Sequence, residues 1–592
     1  MQLIKKLLLY ILILVVPIAG QVKKKETNTK PSKKKNRIEF SNDQNTQDYL
    51  DMLEKAFYKV RESYVDSVNE SEIIKAGIKG MMKPLDPYTR FLSGSSKDRL
   101  DMLRTGKYGG VGIQIGLRRD TLTVLTPFED SPAYTEGIHS GDQILIIDST
   151  KTKGMTLKDA SGLIKGELGS IVILTIYRPS TREHIVFELK RASIIIKHVP
   201  YWGVDDDNGI GYVRITKFSK NTAKDFGKAL QDLIRDDMKG LIIDLRGNSG
   251  GLLNNSINIL DKLTDRGLNL LNTKGRIPKS NREMNSRRAP MVESDIPIVV
   301  LINRSSASAS EIVSGVLQDL DRAVIVGEKS FGKGLVQSMY ELNDTTTLKV
   351  TTAKYYTPSG RLIQKEDYLK NGFLTDGLDK NDSLFSTRGG RKVKGGGGIT
   401  PDIEIKRNPL PPYVQGLWKE GVFLTFSAEY VPMNNIEAPV IITDNIYRDF
   451  EIFLKDYEIK YKLSGEKDLS QLKTILRSKD GLRGNSTSSI LSKLMFWKKT
   501  ISPILQLTED LDNYYLAKRK GQYWDANNIK WIKNGLLREM SLVASGEREK
   551  IRVSLIEDNV YQEAVNVLLD LNRYYDIFEP QPESVETGID SK

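Results

Sequence analysis

Residues 296–315 read IPIVVLINRSSASASEIVSG. The run Ile298–Ile302 is wholly aliphatic, the pattern of a strand buried on both faces. Four serines follow within six positions, Ser305, Ser306, Ser308 and Ser310, and EIVSGVLQDL (311–320) then continues with helical character. The stretch therefore reads as buried strand, polar turn, helix. Upstream, GLIIDLRGNSGG (240–251) runs another buried strand into a glycine turn ahead of LLNNSINILDKL (252–263). GIGYVRIT (209–216), NTAKDFGKALQDLIRD (221–236), AVIVGEKS (323–330), LVQSMYEL (335–342) and TTLKVTTAKYY (346–356) extend the alternation of strands and helices. Continuous apolar strands interleaved with helices predict an α/β core with largely parallel strands.

A serine at the head of a helix ordinarily caps the orphan N–H groups of its first turn. The same place can expose a nucleophile beside free backbone donors, which suit a developing oxyanion. Such a hydroxyl needs a base. The histidines are three, His139, His184 and His198, and none lies in an HExxH pattern or near the serines. Lysine is the remaining candidate, and SFGKGLVQ (330–337) sets Lys333 between two glycines with Phe331, Leu335 and Val336 around it. An amine serves as base only when neutral, and desolvation among apolar groups lowers its pKa toward ~7–8. The Gln337 amide carries donor and acceptor, so it can fix the direction of that amine.

Around this core the chain changes character. YLDMLEKAFYKVRESYV (49–65) and SEIIKAGIKGMMKPL (71–85) predict helices over roughly 45–95, with LDPY (85–88) opening a turn. From about 103 to 192 come short strands and glycine turns. GGVGI (109–113), SPAYTEGIHSGDQILIID (131–148) and the strand pair SIVILTIYR and HIVFELKR resemble a PDZ domain. In such a domain a peptide adds as a strand at a sheet edge, and its carboxylate sits in a nest of backbone N–H groups. Gly110, Val111, Gly112 and Ile113 are then the expected peptide-binding loop, with Val111 and Ile113 lining an apolar pocket. The expected ligand is an unstructured protein C-terminus ending in apolar residues. The glycine-rich stretch 376–399 predicts a loop, and 410–580 predicts helices used for packing or for a homodimer.

Composition narrows the function. The net charge is +12, but residues 1–37 hold ten Lys or Arg against Glu26 alone, leaving 78 basic and 75 acidic residues in the remainder. The body is nearly neutral, so no nucleic-acid partner is expected. MQLIKKLLLYILILVVPIAG (1–20) has the charged, apolar and small-residue regions of a secretory signal, with a retained membrane anchor as the alternative. The expected location is exported and periplasmic. There is no cysteine, which excludes thiol catalysis, disulfides and cysteine-ligated metal. No phosphate-loop or metal-ligand pattern is present, so no cofactor and no metal is expected.

Six motifs in order, GYVRIT, DLRGNSGG, SSASASEI, SFGKGLVQ, YTPSGRLIQ and GITPDIEI, behind the PDZ-like segment, resemble the carboxyl-terminal processing peptidases, also called tail-specific proteases. The resemblance covers about 45–405. It implies a crotonase-like (ClpP/crotonase) α/β protease core with an inserted PDZ domain and a helical C-terminal extension. It also implies Ser308 as nucleophile, Lys333 as general base 25 residues on, and Gln337 as the residue orienting the lysine. The oxyanion donors it implies are the N–H groups of Ala309 and Gly250, with Gly251 as the alternative to Gly250. Arg178 is implied to link PDZ occupancy to the active site. The expected layout is a signal at 1–20, a basic spacer at 21–44, a helical segment at 45–100, PDZ at 101–192, peptidase core at 193–408 and helical extension at 409–592. The expected activity is a serine endopeptidase acting on protein or peptide substrates. The alternatives are a non-catalytic PDZ scaffold that delivers tails to another protease, and a hydrolase of small thioesters.

Overall fold

The computed structural model describes residues 44–365, 384–477 and 506–580, so the expected signal and nearly all of the spacer lie outside the described residues. The chain divides into two compact units, 1–76 and 77–592. In the first, helix Gln44–Ser63 and the start of helix Glu70–Met82 fall where the apolar periodicity predicts helices.

The second unit is built on a sheet of six strands among the described residues, in the order Tyr201–Val204, Ile210–Arg214, Gly240–Asp244, Ile298–Ile302, Val324–Gly327, Ile403–Glu404. All neighbours are parallel except the first pair. The central strands Gly240–Asp244 and Ile298–Ile302 are buried at every residue, as their unbroken apolar runs require. Alternate side chains serve two different layers. Leu241, Ile243, Val300 and Ile302 pack with helices Thr222–Arg235, Leu253–Leu260 and Ala309–Asp319. Ile242, Val299, Leu301 and Val326 pack instead with Val560, Ala564, Val567 and Leu568 from the end of the chain. The Tyr574 hydroxyl adds an anchor, accepting from the Ile298 N–H at 2.9 Å and donating to its carbonyl at 3.1 Å. The last helices are thus the third layer of the core. Each aliphatic side chain buried there contributes about 1.5–3 kcal/mol.

A second sheet has five strands among the described residues. It runs Arg90–Ser93, Thr346–Tyr356, Asn269–Lys274, Arg282–Asn285, and Leu335–Asn343 pairs with Thr346–Tyr356 as well. The strand Arg90–Ser93 falls where a helix was expected. Its turn is set by Asp86, whose carboxylate accepts from the N–H groups of Tyr88 and Thr89 at 2.7 and 2.9 Å, an arrangement local enough to stop a helix. Its partner strand is more than 250 residues away, with Arg90 opposite Lys349.

The PDZ-like segment forms its own sheet, in the order Ile113–Arg118, Thr121–Pro127, Gln143–Ile147, Ile171–Arg178, Glu183–Lys190, around a core that includes Val124, Ile144 and Leu174. Ile113–Arg118 is an edge strand, with helix Leu157–Ile164 beside it. In the extension, helices Pro412–Glu420, Val422–Met433, Asp444–Leu454 and Ala526–Ser545 enclose an aromatic core in which Phe423 and Phe450 stack at 5.3 Å. That helical body meets the PDZ-like sheet, where the Arg119 guanidinium lies 3.6 Å from the centre of the Tyr457 ring. Within the predicted loop 376–399, Leu384–Ser386 and Lys392–Lys394 form a short antiparallel ladder. No helix among the described residues is long and apolar enough to cross a membrane.

Candidate active site

The four serines separate by what their side chains do. Ser306 Oγ donates to the Leu245 carbonyl at 2.9 Å and accepts from the Asn303 N–H. Ser310 Oγ donates to the Asn248 carbonyl at 2.8 Å. Both are fully buried, and both tie the serine turn to the DLRGNSGG turn beside it. Ser305 is exposed. Ser308 Oγ, by contrast, donates no hydrogen bond among the described residues; it stands at the head of helix Ala309–Asp319, in a capping box with Glu311.

Ser308 stands between strand Ile298–Ile302 and helix Ala309–Asp319 with φ 56° and ψ −112°. A positive φ is costly for serine, by about 1–3 kcal/mol, and such strain collects at working sites. A sharp strand-to-helix turn of this kind pushes the side chain out and leaves the first helical amides free. The Ala309 N–H is one of these and has no partner among the described residues.

The DLRGNSGG turn closes against it. Gly250 has φ 91°, and a Cβ there would come within 2.6 Å of the Ala307 oxygen and 2.8 Å of the Ser308 Cβ, so only glycine fits. Its N–H, however, donates to Asn248 Oδ1 at 2.9 Å. Gly251 is partly exposed and its N–H is unpaired among the described residues. Of the two glycines named as oxyanion candidates, Gly251 therefore has the free donor, and Gly250 supplies the close approach.

The sequence reading missed the residue at the centre. Glu311 is fully buried, and its carboxylate accepts from the N–H of Ser308 (2.7 Å), the N–H of Lys333 (2.9 Å), the N–H of Gly332 (2.6 Å) and Ser330 Oγ (2.6 Å). Burial pushes its pKa up to about 6, and the four donors hold it from rising further. The signal was available, since S-x-x-E is the capping-box spacing and Ser308 and Glu311 stand at it. The buried Tyr355 hydroxyl makes a second clamp, donating to the carbonyls of Ser308 and Lys333.

Lys333 Nζ makes no hydrogen bond among the described residues and lies 4.4 Å from the centre of the Tyr88 ring. Burial lowers its pKa to about 8, with the like charge of Lys349 adding to the effect and Glu311 and Asp86 opposing it. The structure differs from the sequence reading over Gln337, whose Nε2 donates to the Leu335 carbonyl at 3.2 Å and which makes no hydrogen bond to the lysine.

In the PDZ-like segment, the Val111 and Gly112 N–H groups have no partner among the described residues, while their carbonyls accept from Ala133 and Phe128 at 3.0 and 2.8 Å. Gly110 pairs with Ala192. The Val111 side chain, expected to line a ligand pocket, is fully buried in the segment's own core, and Ile113 is buried with it. Both side chains join the core of the segment, while the Val111 and Gly112 amides of the loop remain without a partner among the described residues. Arg178 makes no hydrogen bond to the serine or the lysine among the described residues. Its Nε and Nη2 grip the buried Asp142 carboxylate at 2.9 and 2.8 Å, and Nη2 also donates to the Gly137 carbonyl. The pair lines a cleft of about 1000 Å³ whose far wall is the helical extension, at Val431, Ile436 and Val543. No cluster able to hold a metal ion occurs among the described residues.

Comparison with known proteins gives four matches along the chain. A model of peptidase family S41 matches residues 209–372, and a PDZ domain model matches 123–178. The N-terminal domain model of the activating protease CtpB matches 14–95, and the C-terminal helical domain of a probable PDZ-protease matches 413–495. A carboxy-terminal-processing protease of Bartonella bacilliformis is 35% identical over 384 residues, spanning 64% of this chain and 80% of that one. A carboxyl-terminal-processing protease of a Picosynechococcus species is 39% identical over 286 residues, 47% of this chain and 67% of the relative. Among solved structures, the photosystem II D1 C-terminal processing protease is 28% identical, covering 60% of this chain and 92% of that one at a TM-score of 0.33.

Proposed function

Given that the chain belongs to peptidase family S41 and is a serine protease of the carboxy-terminal processing kind, we propose that it captures unstructured, apolar protein C-termini on its PDZ domain and cleaves them with Ser308 and Lys333. The observation that carries the reading is the shared Glu311 carboxylate, which holds the backbone of both residues in one place.

In the first step Ser308 Oγ attacks the scissile carbonyl carbon while neutral Lys333 Nζ takes the hydroxyl proton. The oxyanion develops opposite the Ala309 and Gly251 amides. Collapse breaks the C–N bond, and the lysine ammonium returns its proton to the leaving amine. Water then attacks the acyl-enzyme with Lys333 again as base, and Ser308 leaves with its proton restored. The backbone clamp keeps both residues in register, so the motion left to catalysis is rotation of the lysine side chain off the Tyr88 ring. Gln337 orients the amine once it has turned. Tail capture uses the free Val111 and Gly112 amides for the terminal carboxylate and the Ile113–Arg118 edge for strand addition. Leu117 and Leu163, each about a third exposed, offer the apolar contacts along that groove. The working location we assign is the periplasm, with residues 1–20 as export signal or membrane anchor and a second copy of the chain as partner.

The test is direct. The full chain and its Ser308→Ala variant are incubated with a protein bearing an apolar unfolded tail, and cuts are mapped by mass spectrometry. Cuts by wild type that vanish in Ser308→Ala are expected. Equal cutting by both, or by neither, overturns the reading.

A further inference from the structure

The start of the DLRGNSGG turn is held both by its own core and by the far end of the chain. Asp244, at the end of strand Gly240–Asp244, is fully buried. Burial alone would disfavour its charge, yet the Arg246 guanidinium brings its pKa down to about 2. Arg246 grips this carboxylate with Nε at 3.0 Å and Nη2 at 2.7 Å, the forked geometry a guanidinium favours. Its third nitrogen points away and donates to Asp558 Oδ1 at 2.8 Å. Both side chains of that pair are 13% exposed. Asp558 heads helix Asn559–Leu569, where the same Oδ1 also accepts from the Val560 and Tyr561 N–H groups.

Past Arg246 the turn runs directly to the free amide beside Ser308. The Gly247 N–H donates to Asn303 Oδ1 at 3.0 Å, and the Asn248 carbonyl accepts from the Ala307 N–H and Ser310 Oγ. The start of this turn therefore rests on a guanidinium clamped between two carboxylates, one from the peptidase strand and one more than 300 residues later. Without Asp558, one arm of a largely buried guanidinium would lose its acceptor, and Arg246 would have to rotate off Asp244 or draw in water.

We propose that Asp558 is a positioning residue for the oxyanion site: acting through Arg246, it fixes the turn that carries Gly250 and Gly251, so the C-terminal extension is part of the catalytic apparatus. The inference rests on the Ser308 and oxyanion reading given above. A displaced donor weakens binding of the transition state more than that of the substrate, because only the transition state carries the oxyanion.

The experiment uses the full chain and Asp558→Asn. Asparagine keeps the shape and the helix cap, since it heads helices as well as aspartate does, and leaves Arg246 only a neutral amide oxygen in place of the carboxylate, a bond about half as strong. The expected result on a tailed protein substrate is a fall in kcat of about ten- to a hundredfold with KM unchanged. A peptide aldehyde, which forms a tetrahedral adduct on the serine, loses affinity by the same factor, while the matching peptide alcohol binds as before. The variant melts somewhat below wild type, because a largely buried ion pair is weakened, but stays fully folded at the assay temperature. Arg246→Lys, which retains a cation beside Asp244 but lacks the fork that reaches Asp558, reproduces the kcat effect. Wild-type kcat and aldehyde affinity in Asp558→Asn, or equal losses for aldehyde and alcohol, overturn the proposal while Ser308→Ala is inactive. Activity that survives Ser308→Ala overturns the underlying reading, and this inference with it.

Discussion

Ser308 and Lys333, 25 residues apart in the chain, donate their backbone N–H groups to one and the same oxygen of Glu311, at 2.7 and 2.9 Å. A buried carboxylate with four donors is an efficient ruler, because each short charge-assisted bond resists displacement of the segment that makes it. The relationship explains how a serine on one turn and a lysine on another keep a common frame although no bond joins their side chains.

Glu311→Gln is expected to break that frame. The amide keeps one acceptor oxygen and turns an NH2 toward N–H donors, leaving buried groups unpaired at about 1–3 kcal/mol each. Turnover of a tailed substrate falls at least about a hundredfold, and the variant remains folded by circular dichroism. Acid should do the same reversibly. The folded pKa of about 6 lies above the ordinary 4.5, so the folded state holds this proton more tightly than the unfolded chain does. Stability from this group therefore falls as pH rises from 4.5 to 6, and loss of activity below pH 6 is not loss of fold through Glu311.

Lys349 is the strongest like charge acting on Lys333 after burial itself. Removing it by Lys349→Gln eases protonation of Lys333, so the acidic limb of the kcat/KM profile moves to higher pH. At pH 7 the variant is slower than wild type, and well above the limb the two converge. A limb that moves down, or stays, contradicts the assignment.

Gly250→Ala places a methyl group 2.6 Å from the Ala307 oxygen and 2.8 Å from the Ser308 Cβ, at a φ of 91° that alanine resists. We expect loss of measurable proteolysis and a stability cost of about 1–3 kcal/mol by denaturant unfolding. An active variant would mean the two turns are not held as close as described.

Arg178→Ala leaves the buried Asp142 carboxylate without its guanidinium. Breaking a buried pair by removing one partner costs about 3–5 kcal/mol, so the PDZ domain should open at lower denaturant than the peptidase core. A C-terminal peptide that changes the activity of wild type should no longer do so in the variant. Unchanged activity with and without the peptide in both proteins would remove Arg178 from any coupling role.

Much of this was legible in the sequence, and most of what was not lay in contacts between residues far apart in the chain. The chain has the S41 peptidase fold with a PDZ domain and a C-terminal helical domain, as the ordered motifs implied. Turns such as SSASASEI and DLRGNSGG can be read because their chemistry is local. Partners distant in sequence could not be read. The apolar faces of 559–576 announced helices but not that they cover Ile242 and Val299. Residues 85–95 carry the turn at Asp86 but not the partner of strand Arg90–Ser93, which is Thr346–Tyr356. Val111 was expected in a pocket because its residue type suits one, whereas the loop packs it into the segment's own core. Glu311 was within reach, and the capping-box spacing should have singled it out.

The central claim is that a neutral Lys333 activates Ser308. It is tested most directly by the pH dependence of Ser308 modification with a fluorophosphonate, which reports the nucleophile without substrate binding or product release. Wild type should label about tenfold faster per pH unit up to an inflection near the pKa of about 8, with Lys333→Met slow and lacking that inflection. Labelling that is flat with pH, that inflects only near 10.5, or that is as fast in Lys333→Met would contradict the account.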